Sequence, residues 1–130
     1  MAPTVKRSVA VMIFRGDRIL STRRSELDDE FPGIWGLPAG TRRGVETVHD
    51  VIKRIGIEKL GVTLVPIRKI NSGVQERANY RLEMELWEAS MEGEPVYPEW
   101  QWADLTIFRS GSAAGSLCCE LAIKSESRVR

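Results

Sequence analysis

Residues 40–62, GTRRGVETVHDVIKRIGIEKLGV, run from Gly40 to Val62 and decide how the rest of the chain is read. The first part, Thr41 to Glu46, is polar and reads as a loop. Thr47 is placed to cap a helix. Asp50 stands three residues on, the capping-box position where Glu or Gln is the usual partner. Val48, Val51, Ile52 and Ile55 then follow the i, i+3, i+4, i+7 spacing of one buried helical face. The spacing predicts a helix to about Leu60, stopped by Gly61. Gly56 is out of place, because inside a helix it costs about 1 kcal/mol relative to Ala. No feature of the sequence accounts for it.

Upstream, Val9 to Phe14 is the longest unbroken apolar run and reads as a buried central strand. Arg15-Gly16-Asp17-Arg18 turns the chain into a return strand, Ile19 to Arg23. Ser25 to Gly33 is a polar loop, and Ile34 to Leu37 is a short strand ended by Pro38-Ala39-Gly40. Downstream, Val62 to Ile70 is β-rich but contains Pro66, the mark of an edge or broken strand. Asn79 to Trp87 alternates, with Tyr80, Leu82, Met84 and Leu86 on one face. Glu99 to Phe108 reads as a further strand and its exit, and Ser112 to Ser125 as a closing helix buried on Leu117, Leu121 and Ala122. This order predicts one α/β domain over residues 1–130, a mixed β-sheet layered with a central helix and a C-terminal helix.

A chain of 130 residues has the length of a single domain, and folding removes roughly two-thirds of its surface from water, enough for a core without staples. Nineteen basic residues against eighteen acidic ones leave a net charge of +1, which argues against a nucleic-acid partner held by bulk electrostatics. His49 is the single histidine, so a multi-histidine metal site is excluded. The cysteines are the adjacent pair Cys118 and Cys119, which fits neither zinc spacing nor a disulfide framework and is expected to be a buried helix face. No apolar run is long enough to span a bilayer. Lys6-Arg7 is not followed by an adequate signal-peptide core. The expectation is a cytoplasmic protein with no membrane partner, whose catalysis, if any, rests on carboxylates and a metal.

Gly40, Glu46, Arg54, Glu58, Gly61 and Val62 fall at spacings that resemble the signature of the Nudix hydrolases, G-x5-E-x7-R-E-U-x-E-E-x-G-U, where U is a bulky aliphatic residue. Gly33 to Gly40 is similar to the family's lead-in, and Ser21-Thr22-Arg23-Arg24 to its basic return strand. Glu99-Trp100-Gln101-Trp102 with Asp104-Leu105 is similar to the late strand of MutT-like nucleotide pyrophosphohydrolases. The resemblance covers most of the chain. It implies a Nudix-type α/β/α sandwich that cleaves the diphosphate of a nucleoside diphosphate derivative, most often a nucleoside triphosphate. It also implies Mg²⁺ or Mn²⁺ held by helical carboxylates against the diphosphate. Carried onto this sequence, Gly40, Glu46 and Glu58 would serve the metal, and Arg54, Glu58 and Glu99 would serve catalysis. Arg24, Trp35 and Tyr80 would meet the small nucleotide substrate. Homodimers are common among similar proteins.

The departures from the signature fall on the chemistry. The family's first metal-binding Glu is Ile55 here, the aliphatic position after it is Gly56, and the last Glu is Lys59. A lysine repels Mg²⁺, so a weakened metal site is expected. Two functions therefore stay open. One is a metal-dependent pyrophosphohydrolase. The other is a catalytically impaired Nudix-fold module for ligand binding or protein interaction, in which Lys59 meets phosphate as a point charge. Each candidate also has a plain structural role open to it: a bracing pair for Glu46 and Arg54, an i, i+4 partner of Arg54 for Glu58, a solvated strand end for Glu99, and core packing for Trp35 and Tyr80.

Overall fold

Val9 to Ile13 is apolar without interruption because the strand carrying most of it is covered on both faces. In the computed structural model, which describes residues 4–126, this strand is β1 (Thr4–Met12). It lies between β5 (Ala39–Thr41), antiparallel to it, and β7 (Tyr80–Glu92), parallel to it. β6 (Thr63–Glu76) pairs with the far side of β7, giving the order β5-β1-β7-β6. Alternation along β1 sends Val9 and Val11, with Ile13 beyond, toward Val51, Ile52, Ile55 and Leu60. It sends Ala10 and Met12 toward Leu82, Met84, Phe108 and Leu121. The sheet is thus sandwiched between two helical layers, as expected for the α/β/α fold class. A second sheet joins β2 (Phe14–Arg15), β3 (Arg18–Arg23) and β4 (Trp35–Gly36), with β8 (Trp100–Ala103) on the other side of β3.

The predicted central helix begins as expected. Its first part, α1 (Val48–Arg54), is closed by a reciprocal capping box: the Asp50 amide donates to Thr47 Oγ1 at 3.1 Å, and the Thr47 amide donates to Asp50 Oδ2 at 2.9 Å. The rest, Ile55–Leu60, is not α but π-helical, with the Gly61 amide donating five residues back to the Gly56 carbonyl. The Val62 amide donates to the same carbonyl at 2.9 Å. This explains Gly56. A methyl group there would lie 2.8 Å from the Val62 carbonyl oxygen and 2.9 Å from Leu64 Cγ, so only glycine lets the helix backbone rest on the start of β6.

Three other expectations are adjusted. β6 reaches Glu76, and Pro66 is accommodated because β6 is an edge strand with register shifts beside it. The strand expected from Glu99 is four residues long and gives way to a 3₁₀ turn, Leu105–Phe108, capped by the Asp104 side chain. The closing helix is broken into α2 (Arg109–Ala113) and α3 (Leu117–Lys124), with Gly115 between them at φ 99°. Leu117, Leu121 and Ala122 are buried as the stripe predicts. Among the described residues no helix is long and apolar enough to cross a membrane.

Candidate functional site

The loop leading into α1 is tied down by one carboxylate. Arg54 on α1 donates from Nε to Glu46 Oε2 at 2.8 Å and from Nη2 to Glu46 Oε1 at 2.9 Å, and the Arg43 amide donates to Oε1 at 2.7 Å. Arg54 Nη2 also donates to the Thr41 carbonyl at 2.6 Å. The Arg54 hydrogen bond, helped by the Arg43 amide and both positive charges, holds the Glu46 carboxyl at about 2, well below the usual carboxylate range. Glu58, one turn past Arg54, is exposed and faces Arg43 at 3.5 Å rather than pairing with Arg54.

Beside this loop a cleft of about 330 Å³ opens over β1, β5 and β7. Four basic side chains line it, Lys6, Arg24, Lys59 and Arg77, against two carboxylates, Asp28 and Glu30. Both carboxylates are committed. Arg24 donates to Asp28 Oδ1 at 3.0 Å. Glu30 accepts from Tyr80 Oη at 3.2 Å and from Arg77 at 3.4 Å. Lys6 places its ammonium 4.3 Å above the Tyr80 ring. Lys59 donates to the carbonyl of Ala39, on the edge strand β5. Lys59 as a residue is exposed, and its side chain lines the cleft. Partial burial of the ammonium lowers its pKa from the ordinary lysine value, the charges of Arg24, Arg54 and Arg43 push the same way, and that of Asp28 opposes them. Among the described residues neither Lys6 nor Lys59 has a carboxylate within ion-pair distance.

No family model matches the chain, and no curated protein matches it. Its structure, however, is similar over nearly its whole length to solved ones. The ORF135 protein of E. coli superposes with a TM-score of 0.78 at 19% identity, covering 98% of this chain and 94% of that one. The MutT protein of Methanosarcina mazei Go1 gives 0.76 at 18% identity, covering 98% and 97%. A MutT NUDIX hydrolase from Burkholderia pseudomallei gives 0.69 at 25% identity, covering 78% and 84%. The chain has the Nudix fold.

The Nudix helix of this protein does not offer a donor set suited to a divalent metal. Ile55 is fully buried among Val51, Ile52 and Leu60, with its Cγ1 3.1 Å from where a methyl on Gly40 would sit. Glu46 has both oxygens engaged by Arg54. Glu58 faces Arg43, and Lys59 puts a cation where the signature has its last carboxylate. Among the described residues no three His, Cys, Asp or Glu side chains converge in a way that could hold a metal ion. Oxygen donors gathered from several sides are what Mg²⁺ and Mn²⁺ require.

Of the residues singled out in the sequence, Gly40, Arg24, Tyr80 and Lys59 come together in the cleft. Glu99 and Trp35 lie outside its lining. Glu99 meets Arg23 Nη1 at 3.3 Å, and Trp35 sits on β4 with its carbonyl accepting from Cys119 Sγ. His49 is exposed and edge-on to Trp87 at 5.3 Å. Sequence reasoning missed Lys6, Arg77 and Cys118 as cleft residues. Lys6 could have been found, because it shares the β1 face of Ser8 and Ala10. Cys118 is half-buried, unlike its fully buried neighbour Cys119. The neighbouring Cys119 thiol and the Ser116 hydroxyl, 3.4 Å from Cys118 Sγ, lower the Cys118 thiol pKa, whereas the Cys118 thiol and burial raise that of Cys119.

Proposed function

We propose that this chain binds a small nucleotide by its phosphoanhydride in the cleft between β1, β5, β7 and the start of α3. We also propose that the metal-carboxylate chemistry of a Nudix hydrolase is impaired in it. The observation that carries this reading is the excess positive charge of the cleft, where among the described residues Lys6 and Lys59 have no carboxylate within ion-pair distance and Asp28 and Glu30 are already engaged. A cleft lined by an excess of cations over carboxylates favours an anionic ligand. Tyr80 lines the same cleft and adds an aromatic wall. Calorimetric titration with ATP, ADP and a nucleotide sugar tests this directly. Saturable binding of at least one is expected, and absence of binding by all three contradicts it.

A second reading has its own support. Gly40, Glu46, Arg54 and Glu58 are retained, and the fold is shared with proteins described as Nudix hydrolases. These favour a pyrophosphohydrolase acting on a nucleoside triphosphate with Mg²⁺ or Mn²⁺. A hydrolysis panel decides between the two. Turnover that disappears with EDTA and with Glu58→Gln establishes the enzyme. Binding without turnover establishes the binding module.

A further inference from the structure

Lys59 is one of the two cleft cations that, among the described residues, have no carboxylate within ion-pair distance. An ammonium has three donors, and one of them is used on the Ala39 carbonyl. Its charged neighbours are Arg24, Arg54 and Arg43, whose combined effect outweighs that of Asp28, and each arginine is paired: Arg54 with Glu46, Arg43 with Glu58 and Arg24 with Asp28. The ammonium is therefore anchored on the Ala39 carbonyl in surroundings where positive charge outweighs negative. A divalent cation beside the Lys59 ammonium would meet net repulsion, whereas a phosphate oxygen would meet net attraction.

We infer that Lys59, flanked by Arg24, is a built-in cation that takes the phosphoanhydride directly, so that this Nudix-fold cleft binds its ligand without a divalent metal. The inference rests on the binding reading above and specifies how that site works. Position in the signature gives it a simple logic. The helix places Lys59 where a carboxylate would hold the metal, and one fixed charge replaces the pair of charges.

The test is calorimetric titration of the full chain with inorganic pyrophosphate and with ADP, each in EDTA and in excess MgCl₂. Binding is expected in EDTA, with no tightening by Mg²⁺. Lys59→Gln keeps a donor for the Ala39 carbonyl but removes the charge, and should weaken binding in EDTA by about tenfold or more. Lys59→Arg keeps the charge and should stay within about threefold of the wild type. Lys53→Gln, which removes an exposed helical charge outside the cleft, should leave affinity unchanged. Circular dichroism on each variant separates lost binding from lost structure, and Lys59→Met replaces Lys59→Gln if the latter does not fold. Binding that appears only with Mg²⁺ overturns the inference and leaves the binding reading standing. Binding in EDTA that neither neutral variant weakens also overturns it. Failure of both probes to bind in either condition overturns the binding reading itself, and the inference with it.

Discussion

Glu46 anchors the loop before α1 because it accepts three hydrogen bonds at once, two from Arg54 and one from the Arg43 amide. Its pKa of about 2 lies below the ordinary value of 4.5, so the folded protein favours the ionised form. A group of this kind contributes stability that is fully present above about pH 4.5 and is lost as pH falls toward 2. Urea unfolding of wild type and Glu46→Gln should therefore differ most near neutrality and converge on acidification. A difference constant from pH 6 to pH 2 would show that the pair does not do this. Ile55 gives the opposite kind of residue-scale prediction. Restoring the signature's glutamate there places a carboxylate in a fully buried apolar cluster. Ile55→Glu should cost about 3–5 kcal/mol, the usual penalty of an uncompensated buried charge, read as a lower urea midpoint with an unchanged slope.

At the scale of the element, the Nudix helix is held by its two ends. Thr47→Ala removes the cap acceptor and should cost about 1 kcal/mol in thermal or chemical unfolding. Gly56→Ala pits two effects against each other. Helix propensity favours alanine by about 1 kcal/mol, but its methyl would lie 2.8 Å from a backbone oxygen that cannot move aside. Overpacking of this kind costs about 1–3 kcal/mol, so net destabilisation is expected, and a stabilised variant would refute the account. Gly56 also marks how far the sequence could be read. Periodicity located the helix, its cap and its buried face, because those depend on neighbours within a few residues. The π-helical turn follows from the backbone resting on Val62 and Leu64, a contact no local pattern encodes. The break at Gly115 was different. A Gly-Ser pair inside a predicted helix was a visible turn signal that the apolar stripe of Leu117, Leu121 and Ala122 outweighed.

At the scale of the whole molecule, a chain of net charge +1 keeps a cleft where four basic groups face two carboxylates. Composition could not show this, because it averages over a surface on which most charges are paired. Spacing brought Gly40, Glu46, Arg54 and Glu58 together along one segment. It could not bring Lys6 from β1, Arg24 after β3, Tyr80 from β7 and Cys118 from α3 to the same place, since only the sandwich does that. The cleft is open to solvent, so its field is screened over a Debye length of about 10 Å at 0.1 M salt. Stability comes mainly from the two apolar clusters flanking the sheet, which salt of this kind hardly affects. The two properties should therefore separate. Raising NaCl from 50 to 500 mM should weaken pyrophosphate binding on the order of tenfold while moving the thermal midpoint little. Glu99→Gln should leave that binding and its salt dependence unchanged, because Glu99 meets Arg23 outside the cleft lining. Salt-insensitive binding would mean that hydrogen bonds and shape, not the uncompensated cations, hold the ligand.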